Sequence, residues 1–431
     1  MASLLRVGGS TRTASWCLYD WANSAFTTLV ITFVYSTYFT ETFAADPGRG
    51  TLLWSRGITI SALCIAVLGP IAGALADRGD RRRYLIGCTL TCVGMTAALA
   101  FVSPSLANAV PIALTILVVA NVAYELGLIF YNAFLPGLTS PERLGRLSGH
   151  GWALGYVGGL ACLGLALPLA TGEPPPFGLS TADGFNVRAT NLLVAAWFLL
   201  FSVPAFLFVR DENVRGSRFD IREAFRDLRR TAIQIRQHRE IVRFLVARLV
   251  YNDGLVTIFA FGGIYAAGTF GFDIGEVIVF GIVLNVVAGI GAWLFGFVND
   301  RIGGKTTIGI SLIFLAAATL LAAVAPNRTW LWVAGGAIGF FLGPNQSASR
   351  ALMSRFVPRE HEAKFFGFFA VSGKVTAFAG PWLLGVLADS YSQRVGVASV
   401  FLFFLFGGVL LFRVDENRGI AVGARGSGVV N

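Results

Sequence analysis

Ionisable side chains stand inside strongly apolar segments at five places in this chain of 431 residues. Three of them are acids, Asp20, Glu125 and Asp253, and two are bases, Arg248 and Lys374. A charge placed in hydrocarbon costs roughly 3 kcal/mol or more, so an ionisable residue there is by default a functional candidate. Arg248 is the exception, since we interpret it as a structural residue or as one whose charged end extends to the inner interface. Three acids against two bases leave one carboxylate unmatched, and an unmatched buried carboxylate can carry a proton.

Neutral hydrogen-bonding side chains occur in the same apolar segments as these charges. They are Asn23, Asn132, Asn252, Asn285, Asn345 and Gln346. We expect Asp20 and Glu125, with Asp253, to form the proton or ammonium side of a central site. Lys374, with the last two amides nearby, would attract a carboxylate, so a small zwitterion such as an amino acid suits the site. The alternative is that these groups only pair with one another and hold helices together.

The composition indicates which elements must position these side chains. Hydrophobic residues make up 55% of the chain and charged residues only 13%, whereas soluble domains carry about 25% charged residues. This balance predicts a protein that crosses a membrane many times. The net charge is +10, but the basic residues stand in short loops between apolar segments. That pattern is typical of basic residues that set the orientation of membrane helices, and not of nucleic-acid binding.

The apolar segments predict twelve membrane-spanning helices in two sets of six. The predicted spans lie near 16–39, 54–76, 84–102, 110–131, 149–170, 191–209, 243–266, 275–298, 305–324, 330–350, 365–388 and 396–413. Most of the 34 Lys and Arg residues fall on one side if the N-terminus is inside. The charge distribution therefore predicts a multi-pass protein of the cell (inner) membrane with both termini in the cytoplasm.

A long charged stretch separates the two sets of spans and divides the predicted protein into three parts. These are an N-terminal six-helix bundle over 1–209, a linker over 210–242 and a C-terminal six-helix bundle over 243–431. Within the linker, apolar residues recur every three or four positions among arginines. This pattern predicts an amphipathic helix that lies on the inner leaflet.

Two loops at equivalent places in the two halves share the pattern Gly-x-x-x-Asp-Arg. One follows the second predicted span and contains Asp77, Arg78 and Arg81, and the other follows the eighth and contains Asp300 and Arg301. The pattern resembles the loop signature of the major facilitator superfamily, whose twelve-span transporters are built from two parallel repeats. The resemblance implies an all-α membrane protein. It also implies that both aspartates, with the adjacent arginines, brace helix ends in one conformation and release them in the other.

Further segments narrow the resemblance and extend along most of the chain: Leu18–Phe26, Tyr131–Pro136, Asn252–Gly254, Asn345–Arg350 and Phe365–Phe368. The Tyr-Asp-Trp-Ala-Asn-Ser run that begins at Tyr19 is the most specific of them. Together they resemble the vacuole-effluxer-like branch of the superfamily, which includes the fungal autophagy-related exporter of amino acids. The resemblance implies efflux of an amino acid, although likeness of fold alone does not fix a substrate.

Two Gly-Pro pairs, Gly69-Pro70 and Gly380-Pro381, match across the halves in the second and eleventh predicted spans. Proline inside a helix removes a backbone hydrogen bond and bends the helix. We therefore expect Pro70 and Pro381 to mark hinges. Close helix packing by the glycines is the alternative.

Enzyme and cofactor motifs are missing from the sequence. The three histidines lack metal-ligand spacing, and Gly-Lys-Thr at 304–306 lacks the earlier glycine and the strand of a phosphate-binding loop. We expect no metal, no cofactor and no nucleic acid, but a monomer in a lipid bilayer with a small-molecule substrate and the proton as coupling ion. Two other functions stay open: export of amphipathic drugs, and a non-transporting role as a sensor or lipid scramblase.

Overall fold

The computed structural model describes residues 11–44, 46–77, 80–210, 238–358 and 361–425. All regular elements within these ranges are helices. The predicted linker helix and Arg78 lie outside the described residues, so neither prediction is examined further.

The helices of the first half begin with α1 (Thr11–Ala25), a π-helical segment (Phe26–Phe33) and α2 (Tyr35–Thr42). The others are α3 (Pro47–Ala76), α4 (Arg81–Leu99), α5 (Ala109–Ala133), α6 (Leu135–Leu138), α7 (Leu144–Thr171) and α8 (Phe185–Phe208). The helices of the second half are α9 (Arg239–Phe270), α10 (Ile274–Ile302), α11 (Gly304–Val324), α12 (Arg328–Phe356), α13 (Glu362–Ser372), α14 (Ala379–Ser390), α15 (Gln393–Phe412) and α16 (Glu416–Arg425).

Eight helices of the described ranges are long and apolar enough to cross a membrane. They are α3, α5, α7, α8, α9, α10, α11 and α15. Two predicted spans are interrupted: the one near 16–39 contains the π-helical segment, and the one near 365–388 is non-helical from 373 to 378. An interruption at membrane depth is tolerated only where protein groups satisfy the freed backbone amides and carbonyls. The neighbours of these interruptions are therefore functional candidates.

The chain divides into two compact units. The first contains Met1–Gly69, Arg78–Tyr131 and Leu154–Ser217, and the second contains Pro70–Asp77, Asn132–Ala153 and Arg218–Asn431. The second unit thus includes the C-terminal turns of α3, which lead into Asp77, and the N-terminal turns of α7, which carry the partners of Asp300.

Glycines allow close helix packing within the second unit. A Cβ added at Gly291 of α10 would lie 2.0 Å from the carbonyl oxygen of Phe340, and one added at Gly343 of α12 would lie 2.0 Å from that of Ala288. Both distances are far below van der Waals contact, so only glycine permits this approach of α10 to α12. Small residues serve the same purpose in membrane helix pairs generally.

Candidate functional site

In the first unit, Asp20 is part of a polar contact between α1 and α5. Asp20 is 7% exposed, and the side-chain amide of Asn23 donates to its Oδ1 at 3.5 Å. The hydroxyl of Tyr124 donates to Asn23 Oδ1 at 3.3 Å, and Glu125 follows Tyr124 in α5 as a half-buried residue. The two predicted acids of the first half therefore stand on neighbouring helices, which the hydrogen bond from Tyr124 to Asn23 connects.

An aromatic cluster holds the helix segment that carries Asp20. Trp16 Nε1 donates to the carbonyl oxygen of Tyr131 at 3.0 Å, and the Tyr131 hydroxyl donates to the carbonyl oxygen of Trp16 at 3.1 Å. Their rings stack at 4.5 Å, and Tyr19 stacks on Tyr131 at 4.8 Å. The Tyr19 hydroxyl also lies 2.8 Å from Thr89 Oγ1 of α4. The Asp20 backbone is thus fixed against two neighbouring helices.

The π-helical segment begins at Phe26, less than two turns after Asp20. The Ser24 hydroxyl donates to the carbonyl oxygen of Asp20 at 2.8 Å, and the Thr27 hydroxyl donates to that of Ser24 at 3.2 Å. π-helical segments are rare in proteins, and those that occur are frequently found at functional sites. Its position next to Asp20 supports a functional role for this part of the first unit.

In the second unit, α9 holds both ends of the interruption between α13 and α14. Arg248 Nη1 donates at 2.8 Å to the carbonyl oxygen of Phe369 and at 2.8 Å to Ser372 Oγ. One turn further along α9, Asn252 Nδ2 donates to the carbonyl oxygen of Gly373 at 3.0 Å. A cation and an amide donor therefore stabilise the negative, C-terminal end of α13.

Asp253 stabilises the opposite end of the interruption. Its Oδ2 accepts a hydrogen bond from the backbone amide of Gly380, in the first turn of α14, at 3.0 Å. The residue is 2% exposed, and its Oδ1 is buried with no hydrogen-bond partner among the described residues. A carboxylate at the positive end of a helix is favoured by the helix dipole. The free oxygen remains available to a proton or to a donor on a ligand.

The other predicted site residues of the second unit lie on different elements. Lys374 is half-buried within the interruption itself. Asn345 of α12 is fully buried, donates to Ser311 Oγ of α11 at 2.9 Å, and has no described partner for its Oδ1. Gln346 is half-buried beside it, and Asn132, also in the second unit, has a buried Oδ1 with no partner among the described residues.

The predicted hinge prolines differ in their positions. Pro70 lies inside the continuous helix α3. Pro381 lies in the first turn of α14, immediately after the interruption. Proline is well tolerated there because the first amides of a helix have no intrahelical partner. The Gly380-Pro381 pair thus marks the start of a helix segment and not the middle of a helix.

Asp77 caps the N-terminus of α13, an arrangement that we call the Asp77 lock. Its Oδ1 accepts from the backbone amide of Ala363 at 2.8 Å, and its Oδ2 accepts from that of Lys364 at 2.9 Å. The approach is close, since a Cβ added at Gly73 would lie 2.3 Å from the carbonyl oxygen of Ala363. The C-terminal end of α3 is therefore fixed to the start of α13.

Asp300 caps the N-terminus of α7 in the same way, an arrangement that we call the Asp300 lock. Its Oδ1 accepts from the amide of Gly145 at 2.8 Å, and its Oδ2 accepts from the amide of Arg146 at 3.2 Å. Arg146 Nε adds an ion pair at 2.7 Å, and Arg355 adds a second at 3.4 Å. Arg301 is exposed. The loop aspartates thus use equivalent contacts in the two halves, each binding two successive amides of a helix N-terminus.

The other arginine of the first predicted gate, Arg81, is 7% exposed in the first turn of α4. It belongs to the first unit, whereas Asp77 belongs to the second. The arginines Arg146 and Arg355 were not singled out from the sequence, because neither lies in the Asp-Arg motif. Their basic character near predicted loop ends was the only available signal.

Solved structures with the same fold identify the class of protein. The outward-facing crystal structure of FucP, a major facilitator superfamily transporter, superposes with a TM-score of 0.73 at 15% identity and covers 94% of this chain and 98% of that one. At this identity the likeness shows the fold alone. The chain therefore has the fold of a major facilitator superfamily transporter.

Sequence relatives identify the family. The family described as "Vacuole effluxer Atg22 like" matches residues 55–423, and the chain belongs to this family. "Uncharacterized MFS-type transporter YxiO" of Bacillus subtilis (strain 168) is 29% identical over 412 residues, which are 93% of this chain and 94% of YxiO. "Autophagy-related protein 22-1" of Neosartorya fischeri is 24% identical over 305 residues, 64% of this chain and 48% of that protein. The chain thus matches about half the length of this fungal relative.

These comparisons confirm the family predicted from the sequence motifs. The protein is a multi-pass membrane transporter of the major facilitator superfamily, and its family and structural neighbours are transporters rather than enzymes.

Proposed function

We propose that this protein is a secondary active transporter that moves an amino acid or a similar small zwitterion across the inner membrane by alternating access, coupled to protons. In this proposal twelve spanning helices form two six-helix bundles, and both termini are cytoplasmic. The observation that carries it is the pair of locks, in which Asp77 and Asp300 each bind two backbone amides at the start of another helix.

The two locks contribute a large free energy to the conformation in which they form. A hydrogen bond to a charged group contributes about 1.5–3 kcal/mol, so the four hydrogen bonds of the two locks contribute roughly 6–12 kcal/mol. A shift of a two-state equilibrium from 1:99 to 99:1 needs about 5.5 kcal/mol of differential binding. Binding of substrate and proton, together with the contacts that replace the locks in the other conformation, must therefore offset this free energy.

The buried acids supply the proposed proton and ammonium sites. Asp20 lies in the polar contact with Asn23 and Tyr124, and Glu125 follows Tyr124 in α5. Asp253 has one carboxylate oxygen without a described partner. A carboxylate so placed in a membrane protein can hold a proton or an ammonium group. Lys374, in the interrupted segment, is the proposed counter-charge for a substrate carboxylate.

Flux through purified protein in proteoliposomes tests the proposal. We expect a pH gradient to drive accumulation of an amino acid by the wild type, and Asp20→Asn to lose the response to the gradient. Asp389→Asn is the matched control, because Asp389 is an exposed acid at the end of α14. Wild-type coupling in the Asp20→Asn variant would refute the role assigned to Asp20.

A second candidate function is export of amphipathic compounds, and an apolar cavity in the second unit offers space for one small apolar group of such a compound. The cavity has a volume of about 50 Å³, and Phe261, Tyr265, Phe280 and Leu284 are among the residues that line it. Thr257, which also lines it, donates to the backbone carbonyl of Asp253 at 2.7 Å. An apolar side group could occupy this space. Competition by unrelated apolar cations, with no competition by amino acids, would favour this function over amino-acid transport.

A further inference from the structure

The last described helix, α16, is fixed to the start of α11 by a carboxylate that the Asp-Arg motif does not include. Glu416 Oε1 accepts from the backbone amide of Gly304 at 2.8 Å, and Oε2 accepts from that of Lys305 at 3.0 Å. Both carboxylate oxygens again bind successive amides at a helix N-terminus. This is the geometry of the Asp77 and Asp300 locks.

Glu416 acts on the segment that immediately follows Asp300. The loop between α10 and α11 consists of Gly303, whose φ is +87°. A Cβ at this position would also lie 2.8 Å from Glu416 Oε2. Glycine is required here for both reasons, since L residues rarely adopt this conformation. Only one residue therefore separates the end of α10, which carries Asp300, from the start of α11, which Glu416 binds.

Arg355 connects Glu416 to the Asp300 lock. Its Nη1 donates to Asn299 Oδ1 at 2.7 Å, and its Nη2 lies 3.4 Å from Asp300 Oδ1. Nη1 also lies 3.9 Å from Glu416 Oε1, and the side chain is only 7% exposed. A buried guanidinium needs compensating charge, and here that charge comes from both Asp300 and Glu416. Removal of either acid therefore alters the environment of the other.

The residues on both sides of Glu416 also pack closely on the same end of the second unit. Glu240 Oε2 accepts from the backbone amide of Asp415, which precedes α16, at 2.7 Å, and Lys305 Nζ donates to the carbonyl oxygen of Phe412, the last residue of α15, at 3.1 Å. A Cβ at Gly419 would lie 2.5 Å from the ring of Phe356. The helix is thus anchored on both sides of Glu416 and not only through its carboxylate.

The sequence of this segment recurs in the chain. Asp-Glu-Asn occurs at 415–417, after the last predicted span of the second half, and again at 211–213, after the last predicted span of the first half. The earlier copy lies outside the described residues. Its presence indicates that an acid equivalent to Glu416 follows the last predicted span of each half, just as an Asp-Arg loop occurs in each half.

We propose that α16 forms a third lock, in which Glu416 is a positioning residue that holds Asp300 in contact with α7. The proposal rests on alternating access through the Asp300 lock. When α16 is docked, the lock is favoured, and opening of the gate requires Glu416 to release α11. The C-terminal segment is therefore a conformational control element, and neutralising Glu416 favours the open gate.

Amide hydrogen exchange of the purified full-length protein tests this coupling. In Glu416→Ala we expect exchange at Gly304 and Lys305 to rise, because these amides lose their acceptor. We also expect exchange at Gly145 and Arg146 to rise at least threefold, because their acceptor Asp300 is displaced. Faster exchange at Gly304 and Lys305 alone would overturn the proposal, since Glu416 would then be only a local helix cap.

Two control variants distinguish failure of the Glu416 proposal from failure of the Asp300 lock on which it rests. Asp415→Asn changes the neighbouring acid, which pairs with Arg418 at 3.1 Å, and we expect it to leave exchange at 145–146 unchanged. Asp300→Asn reports on the lock itself: if it leaves exchange at 145–146 unchanged, the gate of the proposed function fails independently of Glu416.

A milder substitution keeps the test decisive if Glu416→Ala does not fold. Glu416→Gln retains one oxygen acceptor but cannot bind both amides or offset the charge of Arg355. We expect a smaller rise in exchange at 145–146 in this variant, with the fold intact by circular dichroism. A folded Glu416→Gln protein with wild-type exchange at both sites would overturn the proposal.

Discussion

Asp253 accepts a hydrogen bond from the backbone amide of Gly380 at 3.0 Å, across the point where the helix formed by α13 and α14 is interrupted. The bond connects a buried carboxylate of α9 to the positive end of α14. Its strength depends on charge, because a carboxylate accepts a stronger hydrogen bond than a neutral acid. Protonation or ligand binding at Asp253 would therefore loosen the start of α14.

Substitution of Asp253 separates its structural role from its proton-binding role. In Asp253→Asn the side-chain oxygen can still accept from Gly380, so we expect unfolding free energy to change by less than about 1 kcal/mol. We expect pH-driven transport to be lost, because an amide cannot carry a proton. Asp253→Ala leaves the Gly380 amide without its acceptor and is expected to cost about 1–3 kcal/mol. Thermal unfolding and proteoliposome flux measure the two effects, and an Asp253→Asn variant that remains pH-driven would contradict the assignment.

Substitution of Asp77 weakens its lock. Asn in place of Asp77 can accept from only one of the two amides at 363 and 364, with loss of about 1.5–3 kcal/mol. A difference of 1.4 kcal/mol is a tenfold change in an equilibrium constant, so we expect the open population to rise at least tenfold. Amide hydrogen exchange at the start of α13 measures the population of the open conformation. Unchanged exchange there would show that the carboxylate is not what holds the helix.

Gly73→Ala is expected to open the same lock by steric means. The added Cβ would lie 2.3 Å from the carbonyl oxygen of Ala363, so α3 and α13 cannot approach as closely. Gly87→Ala is the matched control, because a Cβ there has no neighbouring atom within 4 Å. We expect Gly73→Ala to resemble Asp77→Asn in hydrogen exchange, and Gly87→Ala to resemble the wild type. Equal behaviour of the two glycine variants would contradict the close contact.

Arg248→Lys is expected to destabilise the C-terminal end of α13. Lysine preserves the charge, but its compact ammonium group does not reproduce the planar guanidinium. That guanidinium donates to Phe369 O and Ser372 Oγ and lies 3.7 Å from the Phe369 ring centroid. We expect a loss of about 1–3 kcal/mol in unfolding free energy. Arg239→Lys, at the first residue of the same helix, is the control. The difference in melting temperature between the two variants measures the effect, and equal values would refute it.

Much of the architecture was predictable from sequence because membrane-spanning helices are recognisable as long apolar segments. The apolar segments indicated the helices, and the Tyr-Asp-Trp-Ala-Asn-Ser run together with the paired Asp-Arg loops indicated the family that the comparisons confirm. The site residues remain predictions about function, although the structure shows where each described one lies.

The interruption between α13 and α14 was not predicted, because 365–388 reads as one apolar span. The break depends on Arg248, Asn252 and Asp253, which are far away in sequence and cap the two helix ends. Arg355 and Glu416 were missed for a similar reason. Their roles come from tertiary contacts with α10 and α11, which no local pattern encodes.

The distance across the Asp300 lock tests the central claim of alternating access most directly. Spin labels at Glu142 and Ile302, both exposed, would be introduced into a variant that lacks the five native cysteines. Dipolar broadening of the continuous-wave electron paramagnetic resonance spectrum, which reports short spin–spin distances, is expected to be strong when the lock is closed. We expect the broadened fraction to fall in Asp300→Asn and when a pH gradient and substrate are present. Broadening that is unchanged by the substitution, the gradient and the substrate would contradict the gate.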